Sequence, residues 1–185
     1  MELPEVQLRP LRRADFPLLC RWSAEPLVAH WWNDPATPEA VEAQYGPSVD
    51  GVDPTAVYLG VHAGQAFGLV QVYAFADEPD SLAELSAVCQ VPPGALSIDY
   101  LIGEPSARGR GLGTAMIAAA VARGFADHPG AADVLVPVVL GNEGSWRALR
   151  RAGATWYAEG ELTPDNPVDP RAHVVHRFAR PPPPY

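Results

Sequence analysis

The chain has 185 residues, with 13 Lys and Arg against 22 Asp and Glu, for a net charge of −9. That length fits one domain with a real core, and the acidic balance argues against nucleic acid or an anionic membrane while suiting a cationic ligand. Sixteen Gly and 21 Pro, about a fifth of the chain, stay below the ~25–30% that marks low complexity, so a globular, proline-punctuated protein is expected.

Val6 to Arg9 alternates and predicts a first strand, ended by Pro10. Asp15 then caps a helix that Phe16 and Pro17 begin and that Leu18, Leu19 and Trp22 make apolar on one side. Glu25 to Trp32 is a second helix broken by Asn33-Asp34-Pro35. Its adjacent Trp31 and Trp32 point different ways, so at least one leaves the core face. Thr37 caps a third short helix running toward Tyr45.

Thr55 to His62 and Ala66 to Tyr73 flank Ala63-Gly64-Gln65 and predict a hairpin. Ser81-Leu82-Ala83-Glu84 has the capping-box spacing, which puts a short helix in a segment suited to lie over a site. Ala95 to Phe125 reads as strand, glycine-rich turn and buried helix. The first N–H groups of that helix would favour an anion such as phosphate. Asp133 to Val139 is a buried-type strand in which Pro137 requires an edge or a bulge and a broken ladder. Asn142 caps a helix bearing Trp146, Leu149 and the basic Arg147, Arg150 and Arg151, ended by Gly153. Ala154 to Leu162 and Ala172 to Phe178 close the chain as strands, and Pro181 to Pro184 form an extended tail after a single domain spanning 1–180.

Cys20 and Cys89 lack ligand-like spacing and read as reduced packing residues. There is no metal-ligand pattern, no leader-like opening and no run of about 18 apolar residues, so a cytoplasmic, metal-free protein is expected, a monomer or weak homodimer.

The turn contains neither Gly-x-x-x-x-Gly-Lys-Ser/Thr nor Gly-x-Gly-x-x-Gly. What it offers is a strand, Arg108-x-x-Gly111-x-Gly113, a helix, another strand and the helix Asn142-x-x-Ser145-x-x-x-Leu149-x-x-x-Gly153-Ala154. In this arrangement the chain resembles the GNAT family of acetyl-CoA-dependent N-acyltransferases. The resemblance implies an α/β (α+β) fold of order β-α-α-β-β-β-α-β-α-β-β, with a mixed, mostly antiparallel sheet whose fourth and fifth strands splay and helices on its flanks. It also implies that the pyrophosphate of coenzyme A binds at Arg108, Gly109, Arg110, Gly111, Leu112, Gly113 and Thr114, and pantetheine along Tyr100, Leu101 and Ile102. Asn142 is either an N-cap alone or an N-cap that also touches the coenzyme.

Aminolysis of a thioester needs a neutral amine and hence a base. Asp99 interrupts the apolar strand beside the implied cleft, where a carboxylate is costly unless paired or facing a cation. A backbone N–H of the same strand, that of Leu101 for example, could hold the oxyanion.

The residues His30-Trp31-Trp32, Gln44 to Val49, Gln71-Val72-Tyr73, Ile98-Asp99 and Thr163-Pro164-Asp165 look like the aminoglycoside 6′-N-acetyltransferases of the Ib type. That likeness implies a cationic amine substrate held by Trp31, Trp32, Tyr45, Tyr73, Asp80, Asp99 and Asp165. Residue by residue, the alternatives are that Asp80 only caps a helix, Asp165 only shapes a turn, and the two tyrosines are half-buried aromatics. The chain departs from that pattern twice. Leu149 stands where the family helix offers a tyrosine to protonate the leaving thiolate, and Pro137 stands where the Ib type has an aspartate. An acyltransferase for a hydroxylysine-type siderophore precursor or another small polyamine, and a non-catalytic acyl-CoA-binding or small-molecule-binding protein, are the competing readings.

Overall fold

A computed structural model describes residues 3–182, so the end of the proline-rich tail lies outside the described residues. Its elements are β1 (Gln7–Pro10), α1 (Phe16–Ser23), α2 (Pro26–Trp32), α3 (Pro38–Val49), β2 (Ala56–His62), β3 (Gln65–Ala74), α4 (Pro79–Ser86), β4 (Leu96–Ile102), α5 (Leu112–Asp127), β5 (Asp133–Val139), α6 (Glu143–Arg151), β6 (Thr155–Glu161) and β7 (Ala172–Ala179). One seven-stranded sheet has the order β1-β2-β3-β4-β5-β7-β6. All pairs are antiparallel except β4–β5, which touch only at Leu96↔Val134. Beyond that bridge the two strands splay, and the sheet opens at its centre.

Strand alternation decides which helices cover which face. Val70, Val72, Leu96, Ile98, Val134 and Val136 pack with Met116, Ile117, Ala120 and Val121 of α5 and with Leu149 of α6. Val57, Leu59, Leu69 and Leu101 face the other way, into Leu19, Trp22, Val41 and Tyr45 of α1 and α3. A third cluster joins Phe75, Leu85, Leu135, Leu162 and Val175 beneath α4. The apolar repeat of α5 is buried as its sequence requires, with Met116, Ile117 and Ala120 fully enclosed.

Three local expectations are corrected. Asp15 precedes α1 without capping it. Its carboxylate accepts from the Arg9 guanidinium at 2.8 and 2.9 Å and from the Arg12 N–H at 3.0 Å, and so closes the preceding turn instead. The Ser81–Glu84 capping box does not form, because proline at a first helical position starts α4 at Pro79 and places Ser81 inside it. Glu84 instead accepts from the Thr163 N–H and hydroxyl, both at 2.6 Å, tying α4 to the β6–β7 loop.

The third expectation is corrected only in part: Pro137 takes the edge that was one of its two expected places, but it pairs with Val175 in a β5–β7 register that contains no shift, so the ladder to β7 is unbroken. The N–H of Leu140 donates to Ala172, so even-numbered residues of β5 address β7 and odd-numbered ones, Pro137 among them, address β4. The missing donor falls on the splayed edge, and no bulge is needed.

Other expectations hold. The hairpin turns at Ala63 (φ 47°) and Gly64 (φ 77°), the pair of positive angles that a two-residue turn demands. Thr37 caps α3 by accepting from the Ala40 N–H at 3.2 Å, although that helix continues past Tyr45 to Val49. Trp22 is buried, and both cysteines are free. Among the described residues no helix is long and apolar enough to cross a membrane.

Candidate active site

The turn between β4 and α5 is pinned from the α1–α2 side. Gly103 lies so close to Trp22 that a Cβ there would fall 2.0 Å from the indole, and Glu104 accepts from the Trp22 ring N–H at 2.8 Å and from Arg21 at 2.6 Å. Arg108 pairs with Glu25 at 2.5 Å and donates to the Ile102 carbonyl at 2.9 Å. Gly109 (φ 72°) and Gly111 (φ 79°) then take left-handed conformations that side chains resist. Ala115 is the first residue to close the helical ladder, onto the Gly111 carbonyl at 3.0 Å. The N–H groups of Leu112, Gly113 and Thr114 are therefore left pointing out of the helix start.

Two clefts flank the splay. A basic cleft of about 490 Å³ runs past this turn and is lined by Tyr100, Leu101, Ile102, Arg108, Gly109, Gly111, Gly113 and Thr114, with Asn142, Arg147 and Arg151 opposite. An acidic cleft of about 370 Å³ is lined by Asp34, Glu84, Asp99 and Asp165, with Gln44, Gln71, Tyr73 and His173. Trp31, Trp32, Tyr100, Asn142 and Ser145 line both. Both volumes suit a bound small molecule.

The residues singled out from sequence fall unevenly on this geometry. Asp99 lies in the acidic cleft with Trp31, Trp32, Tyr73 and Asp165. Tyr45 lies below the cleft rather than in it, buried in the core under α3. Asp80 is exposed on the first turn of α4 and lines neither cleft, whereas Ser81 and Glu84 of that helix face the acidic one. On the basic side the side chain of Arg108 is committed to Glu25, Arg110 is exposed away from the cleft, and Leu112 is buried in the core. Asn142 caps α6 by accepting from the Ser145 N–H at 3.2 Å and still lines both clefts. Reading the sequence missed Asp34, Glu84 and His173 as cleft residues. It also gave no role to Arg147 and Arg151, although their four-residue spacing puts them on one face of α6.

The free edge of β4 is set by pairing. Gly103 donates to the Phe67 carbonyl and Phe75 to the Ala95 carbonyl, so odd-numbered residues of β4 spend their main-chain groups on β3. The Leu101 N–H therefore cannot hold an oxyanion. Ile98, Tyr100 and Ile102 address the splay instead, and the N–H groups there belong to them.

Electrostatics separates the clefts. The Asp99 side chain is reached by solvent from the cleft lumen yet lies deep in the protein. Desolvation, then the charge of Asp165 and more weakly Glu78, raise its pKa to about 7, while the Tyr73 hydroxyl beside it pulls the other way. Desolvation and the Asp34 charge raise Asp165 as well, and desolvation raises Asp34 against the hydrogen bond it accepts from Gln44 at 3.1 Å. Carboxyls held up by one another are relieved when a cation enters. The β6–β7 loop brings Asp165 to this group through Asn166, which donates to the His30 carbonyl at 2.7 Å, and through Asn33, which donates to the Asp165 carbonyl at 3.4 Å.

A strand that parts from its parallel neighbour beside a helix start with free N–H groups is a distinctive pairing, and a family model described as an acetyltransferase (GNAT) domain matches residues 12–162. The chain belongs to the GNAT acetyltransferases. Within that family it is similar to the aminoglycoside N(6′)-acetyltransferase type 1 of Klebsiella pneumoniae, with 29% identity over 95% of this chain and 86% of that protein. It is also similar in structure to aminoglycoside acetyltransferase AAC(6′)-Ib in complex with coenzyme A, with 25% identity, TM-score 0.78 and 95% of each chain covered. The complex of that enzyme with coenzyme A and kanamycin matches at 26% identity and TM-score 0.77, again over 95% of both chains.

Proposed function

We propose that the protein transfers an acetyl group from acetyl-CoA directly to a primary amine of an aminoglycoside, the 6′-amino group first, and so confers resistance to the drug. The observation that carries this reading is the meeting of an acidic and a basic cleft at the open edge of β4, with a carboxyl of pKa about 7 on the acidic side.

The residues of the basic cleft fit a coenzyme A molecule. The N–H groups at the start of α5 suit its pyrophosphate, Arg147 and Arg151 add positive charge, and the free main chain of Ile98 and Tyr100, with the N–H of Ile102, can pair with pantetheine. Bound there, acetyl-CoA supplies an activated acyl carbon. In the acidic cleft Asp34, Asp99 and Asp165 hold a cationic amine, and Trp31 and Trp32 give flat apolar walls. Asp99 takes a proton from the amine, directly or through water, and an N–H of the open edge receives the developing oxyanion. The likeness to aminoglycoside acetyltransferases over nearly the whole chain favours that substrate over hydroxylysine.

Release of free thiol from acetyl-CoA, followed with a panel of aminoglycosides and with hydroxylysine, tests the reading. Thiol release with aminoglycosides and mass addition at the 6′-nitrogen is the expected result. Silence with every amine, despite measurable coenzyme binding, would overturn it.

A further inference from the structure

An acetyl group held in the basic cleft can meet an amine held in the acidic one only where the clefts join, at Trp31, Trp32, Tyr100, Asn142 and Ser145. A thiolate departs at that junction, and neither the indoles nor the amide side chain has an acidic proton to give it. The Asn142 Oδ1 is also already engaged, accepting from the Ser145 N–H at 3.2 Å. Two hydroxyls remain, those of Tyr100 and Ser145, and they are hydrogen-bonded to each other at 2.6 Å. A phenol with pKa about 10 is a far stronger acid than an aliphatic alcohol. Alternation sets Tyr100 on the face of β4 opposite Asp99, so the two side chains leave the strand on opposite sides. Leu149 is fully buried and lines neither cleft, which leaves α6 without an acid of its own at that position.

We propose that Tyr100 is the proton donor to the departing thiolate and that Ser145 is the residue that positions it. This rests on the acetyltransferase reading above. The ammonium first loses one proton through Asp99 to cleft water; as the C–N bond then forms, Asp99 removes the second proton from nitrogen. As the C–S bond breaks, its electron pair goes to sulfur and the Tyr100 O–H delivers a proton there, giving the free thiol. Ser145 donates to the phenolate left behind. The proton held on Asp99 then returns to Tyr100 through cleft water, and both groups regain their starting states. Burial and then the Asp99 charge raise the Tyr100 pKa against the lowering bond from Ser145, so the hydroxyl carries its proton throughout the working range.

The test is Tyr100→Phe, which keeps the ring and removes the donor. Turnover should fall about 10²-fold while KM for acetyl-CoA moves less than about threefold. The deficit should shrink with acetyl thioesters of more acidic thiols, which leave without help. Free coenzyme A titrated in complex with each protein, read by thiolate absorbance, gives a measure independent of turnover. The thiol of the bound coenzyme should titrate about one pH unit higher in Tyr100→Phe than in the unaltered protein, because a hydrogen bond to the thiolate is gone. Ser145→Ala should lower kcat several-fold in the same direction. Undiminished turnover in Tyr100→Phe, a loss confined to KM, or an unchanged titration of bound thiol would each overturn the assignment. If the unaltered protein acetylates no amine, the proposed function falls, and the thiol titration still decides the role of Tyr100.

Discussion

The two clefts share one strand and are built on opposite principles. The basic cleft takes most of its lining from one contiguous stretch, Tyr100 to Thr114, plus one face of α6, and much of what it offers a ligand is main chain. The acidic cleft collects side chains from α2, the α2–α3 turn, α3, β3, α4, β4, β5, α6, the β6–β7 loop and β7. Main-chain recognition tolerates changes of side chain, provided that the turn keeps its glycines. A site gathered from so many segments depends on every loop that carries a member. The coenzyme half should therefore be robust and the amine half adjustable, and each should respond to substitution without the other.

Asp99→Asn gives the largest expected break between them. It should lower kcat by about 10²-fold or more with coenzyme affinity unchanged. With Asp99 as the proposed base the carboxylate is the active form, so kcat/KM of the unaltered enzyme should fall as pH drops below about 7, and that limb should vanish in the variant. Near-normal turnover across pH 6–9 would remove Asp99 from the chemistry.

Next in size is the paired Arg147→Ala, Arg151→Ala variant. It should weaken acetyl-CoA binding by roughly tenfold, most visibly at low salt, and leave KM for the amine in place. A matching rise in amine KM would show that the clefts are coupled after all. Asp165→Asn probes the other side, with amine KM expected to rise by roughly three- to fivefold and coenzyme affinity to stay constant, since one solvent-exposed carboxylate contributes about 1 kcal/mol or less.

The smallest effect is on stability. The folded pKa of Asp99 lies above its unfolded value, so the stability tied to its proton is present below pH 4 and lost as pH rises through about 7. Asp99→Asn, which cannot ionise, should melt above the unaltered protein at pH 8 and level with it near pH 4. Coincident melts at both values would show that the carboxyl is not strained by its neighbours.

These differences also explain what could be read before folding. The basic cleft was legible because a β-strand, a glycine turn and a helix start are local events, and Arg108 to Thr114 carry them in order. The salt bridge that takes Arg108 out of service was not, because Glu25 is 83 residues away. Which β4 groups face the splay was also hidden. It depends on register against β3, and slipping by one residue would exchange the roles of Tyr100 and Leu101. On the acidic side Asp99 stood out as a charge in an apolar strand. Asp34 and Glu84 looked like ordinary turn and capping residues, and only the closure of the β6–β7 loop over α2 and α4 makes them a cluster with Asp165.

Pro137 adds a consequence of a different kind. Continuing the parallel register from Leu96↔Val134, the next donor of β5 to reach across to β4, at the Ile98 carbonyl, would be the N–H of residue 137. That donor does not exist. The seam therefore lacks one rung of its own closure, fixed by covalent chemistry. An incoming molecule has no strand pairing to undo at that rung, and the free energy that separation would have consumed stays available for binding.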